Sequence, residues 1–142
     1  MSLWTKLHDP PPMQPSNIDI HHGNMHQLSD DELLIVPDTT HEKGSALWKY
    51  NIIKNEWIEW ISIPTKYYWR YQTSSLDRRS MILYIFGEEG VIFTIDLKTK
   101  SFTRSENKYH DGSYCSSQFI NNKFHIFFGW NKNTKNHYIW NI

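Results

Sequence analysis

Histidine is the residue type here best suited to holding a metal ion, and three histidines lie close together. His21 and His22 are adjacent, and Gly23, Asn24 and Met25 separate them from His26. A spacing of four residues brings two ligands together on a helix, whereas glycine and asparagine favour a loop. No cysteine accompanies them. We therefore expect exposed loop histidines, and we predict no metal site and no cofactor.

Other residues have side chains of the types used in catalysis, but their positions in the sequence do not predict an active site. Cys115 follows His110 and Asp111, but catalytic groups must meet in space, and Cys115 opens a predicted inner strand, which favours a small buried thiol. Glu88 and Glu89 are adjacent in a glycine turn, where neighbouring side chains point apart. We predict no catalytic residue and a protein that is not an enzyme.

Aromatic side chains in the segments between predicted strands are a stronger signal. Residues 67–71 read Tyr-Tyr-Trp-Arg-Tyr, and Tyr109 and His110 occupy the corresponding connection about one unit later. Trp, Tyr and Arg anchor protein interfaces because they bury a large area at low entropic cost. Packing between sheets is the favoured interpretation for Tyr68 and Trp69. A binding role is favoured for Trp130, which lies in a polar loop.

Apolar strands recur along the sequence at nearly constant spacing. Asn51, Asp96 and Asn141 each lie near the end of such a strand, in two steps of 45 residues. A period of this size is typical of a propeller blade, a sheet unit that cannot bury its faces alone. A second series of apolar runs precedes them, at residues 34–37, 84–87 and 126–129.

Each unit is predicted to contain four strands. The fourth strand carries an aromatic anchor, and Trp57 and Phe102 are again 45 residues apart. Strands are predicted at 32–36, 46–52, 56–61, 81–86, 91–97, 101–104, 116–120, 124–129 and 138–142, with turns at 53–55, 98–100 and 121–123.

The two ends of the sequence are predicted to hold incomplete units. Residues 3–7, with Trp4, followed by Pro10, repeat the Trp-then-proline ending of residues 57–64. The predicted division is therefore an orphan outer strand with a proline-rich connector at 1–20, one blade at 21–64, a second at 65–105, and a third at 106–142 that lacks its fourth strand.

Composition supports strands and narrows the partners. The 142 residues include 7 Trp, 8 Tyr and 7 Phe, and aromatic side chains suit a pleated, half-buried surface. Fifteen basic residues balance fifteen acidic ones, so no net field attracts nucleic acid or a membrane surface. A single cysteine and the lack of a signal sequence or a long apolar run predict a cytoplasmic protein.

Residues 47–57, which read Leu-Trp-Lys-Tyr-Asn-Ile-Ile-Lys-Asn-Glu-Trp, resemble the kelch repeat. The third strand of that repeat ends in Tyr-Asp, and its fourth carries a Trp six residues after the Asp. Residues 82–87 and 124–129 resemble the second strand that precedes its glycine doublet. The doublet itself survives only as Gly87-Glu88, Gly129-Trp130 and Pro37-Asp38, so the repeats are degenerate.

The resemblance implies an all-β protein of about three four-stranded antiparallel kelch-type propeller blades, in an open or partial propeller. Propellers close with four to eight blades, whereas this sequence accounts for about three. Three explanations of the difference stay open. The sequence is a fragment of a longer propeller, or two copies exchange their orphan strands to make six blades, or the sheet remains curled and open.

The resemblance further implies a non-catalytic interaction module that binds a protein or peptide through the loops on one face. In an up-and-down blade, the connections from strand two to three and from strand four to the next blade emerge on the same face. The predicted binding residues in these connections are Trp130, Arg70, Tyr67, Tyr109, His110, Asp111, His41, Glu42, Lys43, Glu88, Glu89 and Lys132.

Other functions remain open. Propellers similar to kelch proteins include a copper oxidase and related enzymes, and F-box-associated propellers, which share the Trp-then-proline ending, act as substrate receptors. Unpaired edge strands would also allow self-association or pairing with a partner strand. The predicted partner is a protein or peptide, not nucleic acid or a membrane.

Overall fold

Eleven β-strands make up all the regular secondary structure in the described part of the protein. The structure is a computed structural model that describes residues 23–38, 45–64, 66–67, 69, 73–87, 91–106, 116–127 and 137–141. The strands are β1 (Asn24–Gln27), β2 (Glu32–Val36), β3 (Ser45–Asn51), β4 (Glu56–Ile63), β5 (Thr73–Asp77), β6 (Ile82–Phe86), β7 (Val91–Asp96), β8 (Ser101–Glu106), β9 (Ser116–Ile120), β10 (Lys123–Phe127) and β11 (His137–Asn141).

The strands form three antiparallel sheets in sequence order. Strands β1 to β4 form the first sheet, β5 to β8 the second, and β9 to β11 the third. Within a sheet each strand pairs with the next one in sequence, so every sheet is an up-and-down meander. The prediction of an all-β protein built from blade-like antiparallel sheets is confirmed. The described strands form no closed barrel.

Asparagine and aspartate at the repeated position close the turn between the third and fourth strands of a sheet. In the first sheet the N–H of Lys54 donates to Oδ1 of Asn51 at 2.8 Å. In the second, the N–H groups of Lys98 and Thr99 donate to Oδ1 of Asp96 at 2.8 and 3.0 Å. These hydrogen bonds hold the pKa of Asp96 below its usual value. The 45-residue repeat in the sequence is thus a repeat of turn geometry.

Aliphatic side chains join the first sheet to the second. Leu34 and Leu47 of the first sheet and Leu83 and Ile95 of the second are completely buried. Removing these side chains from water is the main force that holds the two sheets together. The same cluster contains Val36, Ile61, Ile63, Trp69, Ile85, Phe93 and Leu97.

Trp69, in the segment between β4 and β5, closes this interface. Its side chain is 1% exposed and its ring lies 5.3 Å from that of Phe93 in β7. Its indole N–H donates to the backbone carbonyl of Pro37, directly after β2, at 2.9 Å. Trp69 therefore contacts both sheets, as its favoured interpretation as a packing residue requires.

Aromatic rings join the second sheet to the third. Phe124 is completely buried, with its ring 4.3 Å from Tyr84 and 5.5 Å from Phe86. The ring of Trp140 in β11 lies 5.5 Å from that of Phe124. The second sheet is consequently covered on both faces, and four of the five residues of β6 are buried.

Several predicted features lie outside the described residues. These are the outer strand at 3–7, the proline connector and Cys115. Among the residues that the structure describes, no helix has the length and apolar character needed to cross a membrane.

Candidate binding site

Polar side chains join the first strands of the three sheets, β1, β5 and β9, here called the inner strands. His26 Nε2 of β1 lies 2.7 Å from Ser74 Oγ of β5. On the other side of β5, Ser117 Oγ of β9 lies 3.1 Å from Thr73 Oγ1 and 2.7 Å from Ser75 Oγ. Small hydroxyl side chains allow the inner strands to approach closely while their polar atoms remain hydrogen-bonded.

A cavity of about 320 Å³ lies between the inner strands. Its volume is at the small end of the range for ligand pockets. Residues of all three sheets contribute to its wall, toward the end where the first strand of a sheet turns into the second. The lining residues are Met25, His26, Gln27, Ser75, Leu76, Arg78, Ser117, Gln118 and Phe119.

Burial determines the charge of His26. Removal from water lowers the pKa of its imidazole from 6.5 to about 4, because a low-dielectric environment disfavours the protonated ring. His26 is therefore neutral near pH 7. One of its ring nitrogens can then share a hydrogen bond with Ser74, with the roles of donor and acceptor set by the tautomer.

The His26–Ser74 pair has the atom types and the spacing of a base and a nucleophile. Ser74, however, is only 3% exposed, because its side chain lies between two packed strands. A substrate has no route to a hydroxyl in that position. The arrangement is suited to holding the first sheet against the second.

Three polar side chains at the cavity rim have no hydrogen-bond or ion-pair partner among the described residues. Gln27 belongs to β1, Arg78 to the turn between β5 and β6, and Gln118 to β9, so each sheet supplies one. All three are exposed. Within the described part of the protein, none of these side chains forms a hydrogen bond or an ion pair. Their amide and guanidinium groups are free to bind a ligand.

Tyr67 is the one predicted binding residue that the structure describes. Its half-buried ring stacks on Phe102 at 5.4 Å and meets Phe93 edge-on at 6.0 Å. Its hydroxyl donates to the carbonyl of Phe102 at 3.4 Å, and Lys66 Nζ lies 5.1 Å from the ring. Tyr67 thus packs on the second sheet and does not reach the cavity. Arg70, Trp130, Tyr109, His110, Asp111, His41, Glu42, Lys43, Glu88, Glu89 and Lys132 lie outside the described residues.

A second group of aromatic rings lies on the open face of the third sheet. The ring of His137 stacks on Phe127 at 4.2 Å, and its Nε2 is 3.0 Å from Nδ1 of His125. Neighbouring Ile139 is 51% exposed. In the described residues, no three histidine, cysteine or acidic side chains are grouped so as to hold a metal ion.

The cavity was not among the sequence predictions, although one signal was available. The inner strands are short and polar, reading Asn-Met-His-Gln, Thr-Ser-Ser-Leu-Asp and Ser-Ser-Gln-Phe-Ile. In the first two sheets β2, β3, β4, β6 and β7 are mostly apolar, whereas β8 is also polar. Polar first strands in successive units indicate a polar surface where those strands meet.

Comparison with known proteins gives no further evidence about the function. No protein-family model matches the sequence, and no curated protein is significantly similar to it.

Proposed function

We propose that this protein is a non-catalytic interaction module, with blades of the kelch type, that binds a protein or peptide. The observation that carries the proposal is the cavity between the inner strands, with its three unpartnered polar side chains. We also propose a cytoplasmic location, which the single cysteine supports.

The chemistry of the cavity suits a peptide segment. Gln27 and Gln118 offer both donors and acceptors, which a peptide backbone requires. Met25, Leu76 and Phe119 add apolar surface to the same cavity. A volume of about 320 Å³ has room for one or two side chains, so the remainder of a bound segment would lie over the rim.

The proposal of a non-catalytic role rests on the state of the reactive groups. The hydroxyl of Ser74 is buried and engaged by His26, while Ser75 and Ser117 bond to each other. These groups are committed to joining the sheets. The predicted loop surface, with Trp130 and Arg70, remains a second proposed contact region for the same partner.

Peptide selection tests the proposal. A random heptapeptide library displayed on phage would be selected against the full-length protein, and the affinities of the enriched peptides would be measured by fluorescence polarisation. Gln118→Trp should fill the rim and weaken binding at least tenfold. Ser116→Trp is the matched control, since Ser116 is an exposed residue of the same strand outside the cavity, and it should bind as the wild type does.

The outcomes separate the two surfaces. Peptides could bind Gln118→Trp as tightly as wild type but bind Trp130→Ala more weakly. That result would place the binding site on the loops. Failure to enrich any peptide, with a folded protein as bait, would contradict the proposed function.

A further inference from the structure

We propose that the cavity between the inner strands is selective for a peptide segment that carries a carboxylate. The inference rests on the proposed function and names the chemistry that this site recognises. It follows from the charges and from the unpartnered donors at the rim.

Arg78 is the only side chain among the nine lining residues that is charged at neutral pH. Within the described residues, no aspartate or glutamate lines the cavity, and burial keeps His26 neutral. The protein as a whole carries no net charge, and this one guanidinium is the positive group at the rim. Among the lining side chains, a carboxylate entering the cavity meets one attractive charge and no carboxylate.

The nearest carboxylate in sequence, Asp77, forms no ion pair with Arg78. Its Oδ1 accepts from the backbone N–H of Arg79 at 3.0 Å, and its Oδ2 accepts from the hydroxyl of Ser80. These bonds direct the Asp77 carboxylate into its own turn. Among the described residues, Arg78 has no ion-pair partner, and its guanidinium is available to an external anion.

The two glutamines complete the set of donors. A guanidinium binds a carboxylate through two parallel N–H···O bonds, and a carboxylate can accept roughly four hydrogen bonds in total. The amide groups of Gln27 and Gln118, which come from the sheets on either side of Arg78, can supply the others. A neutral amide in the place of the carboxylate would lose the charge-assisted bonds.

The carboxylate has two sources in peptides, an acidic side chain and the free carboxyl terminus. Four acetylated glycine–serine pentapeptides distinguish them. The first has a central glutamate and an amidated end, and the second has a central glutamine and an amidated end. The third and fourth have a central glycine, with a free carboxylate or an amide at the end.

Titration of the ¹⁵N-labelled full-length protein measures both affinity and location. The side-chain N–H signals of Gln27, Arg78 and Gln118 report on the rim. We expect at least one carboxylate peptide to shift these signals and to bind at least tenfold more tightly than its neutral counterpart. The tighter of the two carboxylate peptides identifies the source.

Two adjacent arginines provide the matched variants. Arg78 lines the cavity and Arg79 does not, and both are exposed turn residues. Arg78→Gln should lower the affinity for the carboxylate peptide to that of the neutral peptide, while Arg79→Gln should leave it within twofold of wild type. Thermal denaturation of both variants verifies that they are folded.

Two results would overturn the inference. One is equal affinity for charged and neutral peptides, and the other is an equal loss of affinity in Arg78→Gln and Arg79→Gln. Library-selected peptides that still require an open cavity would in either case keep the proposed function intact, so the two failures are distinguishable.

Discussion

His26 and Arg78 line the same cavity but differ in their access to water. Burial keeps His26 neutral and bonded to Ser74, whereas Arg78 is exposed and keeps its charge. The first residue can therefore hold two sheets together, and the second can bind a ligand. From the sequence we expected His26 to be an exposed loop residue, which was wrong, because its place on β1 against β5 depends on contacts 48 residues apart.

The state of His26 predicts acid destabilisation. In the unfolded protein its imidazole takes up a proton near pH 6.5, whereas in the folded protein it does so only near pH 4. The unfolded state therefore binds more protons between these values, and the free energy of unfolding falls as the pH is lowered from about 6.5 to about 4. The loss from this group is at most about 3 kcal/mol, and it does not increase further below pH 4.

Urea denaturation at several pH values measures this effect. His26→Gln is the control, because its amide can keep a hydrogen bond to Ser74 and does not titrate. Its stability should depend less on pH in this window than that of wild type. Parallel profiles for the two proteins would show that His26 does not control the acid response.

Turns were the elements that the sequence predicted best, because their determinants are local. The turns at 53–55, 98–100 and 121–123 are confirmed, apart from Lys123, which opens β10. Asn55 and Lys100, again 45 residues apart, both have positive φ, at 56° and 60°.

The bulge between β3 and β4 was not predicted. At this bulge Leu47 pairs with Ile61 but Trp48 pairs with Glu59. A sequence pattern in which side chains alternate between the two faces of a strand does not indicate that Trp60 is the extra residue of this bulge.

The turn between β9 and β10 offers a test at this scale. Asn121 and Asn122 have φ values of 52° and 60°, the combination of a type I′ hairpin turn, which prefers Asn-Gly. Asn122→Gly should raise the free energy of unfolding by about 0.5–1 kcal/mol, because glycine adopts positive φ without strain. Asn122→Val should lower it by about 1–2 kcal/mol. Urea denaturation measures both, and a stabilising valine would contradict the assignment.

At the scale of the whole molecule, the second sheet differs from its neighbours because it is covered on both faces. Strand β6, one of its two central strands, also pairs on both edges, with β5 and β7. The number of sheets and the order in which they pack were predictable, because the 45-residue repeat can be read directly along the sequence. The cavity was not, because Gln27, Arg78 and Gln118 come from three different sheets and share no fixed spacing.

Hydrogen exchange should reveal this arrangement. Amides in β6 and β7 lie between two packed interfaces, so they exchange only through large-scale opening. The mostly exposed strand β8 and the edge strand β11 can open locally. We expect amide exchange at least 100-fold slower in β6 than in β8 or β11, as measured by NMR or mass spectrometry. Equal protection across these strands would show that the sheets open as one unit.

The contacts of β5 have a consequence for strand alignment. Its Ser74 bonds toward the first sheet, while Thr73 and Ser75 bond toward the third. Because successive side chains of a strand point to opposite faces, sliding β5 by a single residue would reverse these directions and break all three bonds at once. Three consecutive small side chains thereby fix the position of the middle sheet relative to both of its neighbours. The surrounding apolar side chains fix this position poorly, because the hydrophobic interaction has no preferred direction.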